Sequence, residues 1–91
     1  MSTITSQEYI QAWKKYHDSW QAVNNLGIED STVGDKHKEA LKSQTDLSEA
    51  CNRWSESRQT LSTSDQSRVN SYSLVGELVR DKFNARLDAA E

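Results

Sequence analysis

The sequence predicts an all-α protein, a three-helix antiparallel bundle, on three observations. Proline is absent and glycine occurs only at 27, 34 and 76, so the breakers that punctuate β-rich chains are missing. Largely apolar residues recur at spacings of three and four through three separate stretches, the periodicity of a helix with one buried face. Each stretch also opens on a residue suited to cap a helix. With 91 residues, one domain spanning 1–91 is expected. The helices are placed at about 6–25, 33–60 and 63–89.

The first helix carries the fullest start signal. Thr5 is the expected N-cap and Glu8 completes a capping box. Ile4 and Tyr9 are spaced as a hydrophobic staple. Tyr9, Trp13, Tyr16, Trp20 and Val23 then follow at spacings of four and three, which keeps them on one face. Ile10 and Leu26 widen that face, and Gly27 is the expected left-handed residue that ends the helix. Trp13 and Tyr16 are expected at the centre of the core. Tyr9 and Trp20, nearer the ends, are expected to keep exposed surface.

For the second helix, Thr32 or Asp30 is the expected cap, with Thr32 and Asp35 spaced as a weaker capping box. Its inward seam reads Ala40, Gln44, Leu47, Cys51, Trp54, Arg58 and Leu61, with Leu41 and Ala50 beside it. Glu49 and Arg53 form a favourable i,i+4 pair. Ser62 caps the third helix, with Asp65 three residues on. The third stripe reads Val69, Tyr72, Val75, Val79, Phe83 and Leu87, with Leu74 and Leu78 as a second row and Gly76 marking a close approach to another helix. Short connections favour antiparallel neighbours. The competing architecture merges the last two segments into a long helical hairpin that packs as a dimeric bundle. Thr60, Ser62, Thr63 and Ser64 oppose it, because such residues prefer caps to helix interiors.

Composition excludes several function classes. Cys51 is the only cysteine, so no internal disulfide forms; its seam position reads as a small buried hydrophobe. The net charge of −3 lacks the basic footprint of a phosphate-binding protein. No apolar run approaches a membrane span. Residues 1–6 carry neither a basic segment nor an apolar run, so a cytoplasmic location is expected, with signal-less secretion as the other route. No nucleophile elbow or glycine-rich phosphate loop occurs. His17 and His37 lack the partners of a catalytic or metal site and are read as solvated. Carboxylate pairs such as Asp35/Glu39 and Glu77/Asp81 have no third group to specify a reaction. No catalytic residue, cofactor or metal is therefore expected.

The function read from these features is a non-catalytic protein-binding module, an adaptor or stoichiometric inhibitor acting by occlusion of a protein partner. Small phage and mobile-element proteins that block host machinery resemble it in general makeup, a likeness of class alone. The W-x-G turn of secreted helical hairpins and the proline-containing turn of needle subunits are both absent from this sequence. Tyr9 and Trp20 are the expected aromatic anchors. Lys36, Lys38 and Lys42, the densest basic group, complete the expected interface. The second reading is a self-assembling structural or secreted helical protein, a homo-oligomer built on the heptad-like spacing. Nucleic-acid binding through the same three lysines ranks third.

Overall fold

A computed structural model describes residues 4–90. They form three helices and, among the described residues, no strand: α1 (Ser6–Asn24), α2 (Val33–Ser57) and α3 (Thr63–Ala90). A corner at residues 58–62 separates α2 from α3, so the merged rod does not occur.

The helix starts follow local chemistry. The Glu8 N–H donates to Thr5 Oγ1 at 3.1 Å, and the Thr5 N–H donates to Glu8 Oε1 at 3.1 Å. The capping box at α1 is therefore complete. Ser62 Oγ accepts the Asp65 N–H at 3.2 Å and starts α3 as expected. At α2 the expected box does not form. Thr32 is the N-cap but in the helical region, without a side-chain cap bond. Its hydroxyl and N–H both donate to Asp30 Oδ1, at 2.6 and 2.8 Å. The Asp30 carboxylate has captured the side chain that would otherwise have capped, forming an Asx turn.

The helix ends differ from expectation. Gly27 does not adopt a positive φ; Asn25 closes α1 in the right-handed region, its N–H bonded to Gln21 O at 3.1 Å. Instead α2 stops three residues early, at Arg58, which takes the left-handed conformation with φ 55° and ψ 26°. Ser57 Oγ turns back to Trp54 O at 2.7 Å, and Gln59 Nε2 reaches Ile4 O at 2.7 Å. That last bond ties the corner to the start of α1.

Helix α1 lies between the other two. Both α2 and α3 pack on it, while no Cα of α2 comes within 8 Å of one of α3. Tyr9 stacks on Trp54 at 4.8 Å near one end, and Trp20 meets His37 at 5.7 Å near the other, so α2 runs antiparallel to α1. His17 meets Tyr72 at 5.6 Å and Trp20 meets Phe83 at 6.1 Å, so α3 runs parallel to α1. This is the up-down-up course that short connections require. The core joins Tyr16, Trp20 and Val23 of α1, Ala40 and Leu47 of α2, and Phe83 of α3.

Packing on the aromatic helix decides how the other two are rolled. On α2 the buried positions are Ala40, Ser43, Leu47 and Ala50, mostly small residues that admit the rings of α1. Gln44 and Arg58, expected in the seam, are exposed. Ser43 fits inside because its hydroxyl donates to Ala40 O at 2.6 Å, which satisfies its polarity. On α3 the buried line runs through Val69, Gly76 and Phe83 rather than through Val75. A Cβ at Gly76 would stand 2.9 Å from both Cδ2 and Cε2 of Tyr16. The expected close approach at this glycine is therefore present.

Two arginines of α3 complete the contact. Arg80 Nη1 donates to Tyr16 Oη at 2.9 Å. Burial pushes the Tyr16 hydroxyl pKa up, and the Arg80 charge opposes that shift. Arg86 donates to Asn24 O, Asn24 Oδ1 and Leu26 O at 2.9–3.0 Å. It thereby serves carbonyls at the end of α1 that have no helical partner.

Two stability outcomes follow. Gly76→Ala forces the methyl against a buried ring and should destabilise by about 1–3 kcal/mol, although alanine is the better helix former. Arg58→Gly removes the left-handed strain and should stabilise by about 1 kcal/mol. Urea melts of the two variants check both. A Gly76→Ala variant more stable than the parent would contradict the Tyr16 contact.

Candidate protein-binding surface

The aromatic stripe of α1 is enclosed at its C-terminal end. Trp20 is 1% exposed, enclosed by His37 and Phe83. The expectation that it stays exposed is corrected: the loop before α2 returns His37 across its ring, and Phe83 closes the other side. Tyr16 is buried as expected, and Trp13 is half-buried. Tyr9 is half-buried with its ring against Trp54, and burial pushes its hydroxyl pKa up.

Lys36, Lys38 and Lys42 are exposed at the start of α2. Lys36 Nζ lies 3.6 Å from Glu39 Oε2, so part of this basic group is already neutralised. These lysines lie toward the Trp20 end of the bundle, whereas Tyr9 lies at the Trp54 end. The residues expected to form one interface are not brought together.

His17 is half-buried beside Tyr72 rather than solvated, and its Nδ1 lies 3.0 Å from Asp18 Oδ1. The hydrogen bond from Lys14 Nζ at 2.7 Å holds the Asp18 carboxyl pKa below its ordinary value. His37 is half-buried against Phe83 at 5.1 Å rather than solvated. Cys51 is half-buried, and burial pushes its thiol pKa up, away from the reactive thiolate. Among the described residues, no group of three His, Cys, Asp or Glu is placed to hold a metal ion, and no helix is long and apolar enough to cross a membrane.

Three apolar residues that the sequence pattern places in or beside the inward stripe of α3 lie outside. Leu74 is 64% exposed, Leu78 61% and Val75 39%, all within two turns of α3. Their exposure follows from Gly76. Residues two apart on a helix differ by about 200° in direction, so turning Gly76 onto Tyr16 turns Leu74 and Leu78 to the outside. Val75 falls on the shoulder. Leu41 of α2, 45% exposed, is the other large apolar side chain left out. Exposed Glu77, Asp81 and Lys82 border the α3 ridge, and Asp81 Oδ1 is held by Arg80 Nε and Nη2 at 3.2 and 3.1 Å. The available signal was the helical projection of residues 69–83 drawn with the glycine, not the valine, in the stripe.

No protein family, characterised protein or solved structure matches the chain.

The two kinds of site respond differently to truncation. Trp20→Ala should cost about 3–5 kcal/mol of stability, whereas Leu74→Glu and Leu78→Glu should each change it by about 0.5 kcal/mol or less. Circular-dichroism melts separate them. A Trp20→Ala protein that melts with the parent would place that ring outside the core.

Proposed function

We propose that the chain is a non-catalytic protein-binding module, a small adaptor or stoichiometric inhibitor that occludes a protein partner, and that its binding face is the ridge of α3. The observation that carries this reading is the exposure of Leu74, Val75 and Leu78 together in a chain whose mean hydropathy is −0.89. A chain with so little apolar material leaves three of its larger apolar side chains on one outer face. Contiguous exposed apolar side chains rimmed by charge are the usual mark of an interaction site. Anchors at i and i+4 on a helix are also the spacing by which a helix enters a partner's groove.

The charges around the ridge bear on the kind of partner. Glu77 and Asp81 lie on its Leu74 side, and the whole chain carries −3. An acidic, helical face suits a basic groove, including one that otherwise holds nucleic acid, and long-range attraction would raise the association rate. Direct nucleic-acid binding by this chain is less well supported, because Lys36 of the basic group is engaged by Glu39.

The test is affinity capture from the native host with the parent chain and with a Leu74→Glu/Leu78→Glu variant as baits. A captured protein is then purified and titrated against both. One partner per chain should bind the parent, and the variant should bind about 30-fold or more weakly, the effect of losing one or more hot-spot anchors. Equal affinity for a folded variant, or no stoichiometric protein partner, would overturn the reading.

A further inference from the structure

We propose that in the isolated protein the ridge is covered by a second copy of the same chain, α3 against α3 in parallel about Leu78. The inference rests on reading the ridge as a binding face, and it names what occupies that face when no other partner is present.

The apolar residues are arranged around one centre. In helical projection Leu74 lies about 40° to one side of Leu78 and Val75 about 60° to the other. The charges are sorted in the same sense. Glu77 and Asp81 fall on the Leu74 side; Arg68 and Lys82 fall on the Val75 side, and all four are exposed. Each flank of the ridge therefore carries one sign of charge.

That sorting selects an orientation. Two copies can meet at this ridge about a two-fold axis in only two ways. With the axis across the helices, they run antiparallel and each flank meets its own kind, acid on acid and base on base. With the axis along the helices, they run parallel and each acidic flank meets the basic flank of the other copy. In the parallel arrangement Leu78 meets its counterpart, and Leu74 meets Val75 of the second copy at the same level. Glu77 and the second copy's Lys82 are five residues apart in register, the spacing of the charge pairs that flank parallel coiled coils.

Two details of the isolated chain fit this arrangement. Among the described residues, neither Glu77 nor Lys82 has an ion-pair partner within its own chain, so both are available. Asp81 lies on the acidic flank, facing the basic flank of the second copy. Its carboxylate is bound to Arg80 of its own chain, so of these two acids Glu77 is the one left to pair across the seam. Three apolar side chains from each copy make a small interface, below the usual size of a stable dimer. The association is therefore concentration-dependent.

Sedimentation equilibrium across about 5 µM to 1 mM, the range expected for so small an interface, tests the proposal. The parent should pass from monomer to dimer within that range. Glu77→Lys alone and Lys82→Glu alone should each weaken association about tenfold, by turning two attractive pairs repulsive. An equimolar mixture of the two variants should recover it, because only the mixed pair has opposite charges on both flanks. Ser71→Cys in a Cys51→Ser background reports orientation: residue 71 lies on the seam and faces itself only in the parallel form, so an oxidised dimer is expected. A strict monomer at the highest concentration overturns the proposal while leaving the foreign-partner reading to its own capture experiment. A dimer indifferent to both charge reversals, or one that fails to cross-link through residue 71, overturns it as well. A dimer that behaves as described but captures nothing from the host leaves this inference standing and removes the occlusion reading.

Discussion

The contact between Tyr16 and Gly76 governs the arrangement of the third helix. The ring is buried, and its Cδ2 and Cε2 lie where a Cβ at residue 76 would have to be. Only glycine lets the α3 backbone approach that closely without displacing the ring. Once Gly76 faces inward, helical geometry leaves α3 no freedom of roll. Val69 and Phe83, seven residues to either side, come onto the same inward line. Arg80, one turn on, reaches the Tyr16 hydroxyl, and Arg86 reaches the open carbonyls at the end of α1. The exposure of Leu74 and Leu78 is the other half of the same rotation.

The core is thin in residues and heavy in rings. Tyr16, Trp20 and Phe83 are its largest fully buried side chains, and α2 receives them with Ala40, Ser43 and Ala50 beside a single large residue, Leu47. Bulky anchors against small residues allow a polar chain to close a core with few apolar positions. The arrangement has a cost. The indole nitrogen of Trp20 is buried with no hydrogen-bond partner among the described residues, a loss of about 1–3 kcal/mol relative to a satisfied donor. The rings are retained for the area they remove from water, which more than offsets that loss.

Much of the architecture was legible from local signals. The capping box at Thr5 and Glu8, the Ser62 corner and the four-three spacing of α1 each specify backbone geometry from residues close in sequence, and each is present in the structure. The misreadings involve competition between partners. Thr32 was available to cap α2, but Asp30 was nearer. Gly27 was available to end α1, yet the left-handed residue is Arg58, where Gln59 is drawn toward Ile4. The exposure of individual side chains departs from the sequence pattern for a related reason. Trp20 near a helix end reads as exposed unless the return of His37 and the approach of Phe83 are known. Val75 reads as core unless the glycine beside it is recognised as the larger gain. Periodicity reports that a helix has an apolar side; here α3 has apolar residues on two sides, and only the Tyr16 ring decides between them.

The absence of backbone contact between α2 and α3 bears on how the chain tolerates change. Each flanking helix packs its backbone on α1 rather than on the other, and the rings of His37 and Phe83 meet between the two. Substitutions on the two flanks away from that pair are therefore free to act additively, and the outer helices can drift in sequence without tracking one another. The central helix has no such latitude. A change at Tyr16 or Trp20 is felt on both flanks at once, so variation among descendants of this chain would be concentrated in α2 and α3 and sparse along the rings of α1.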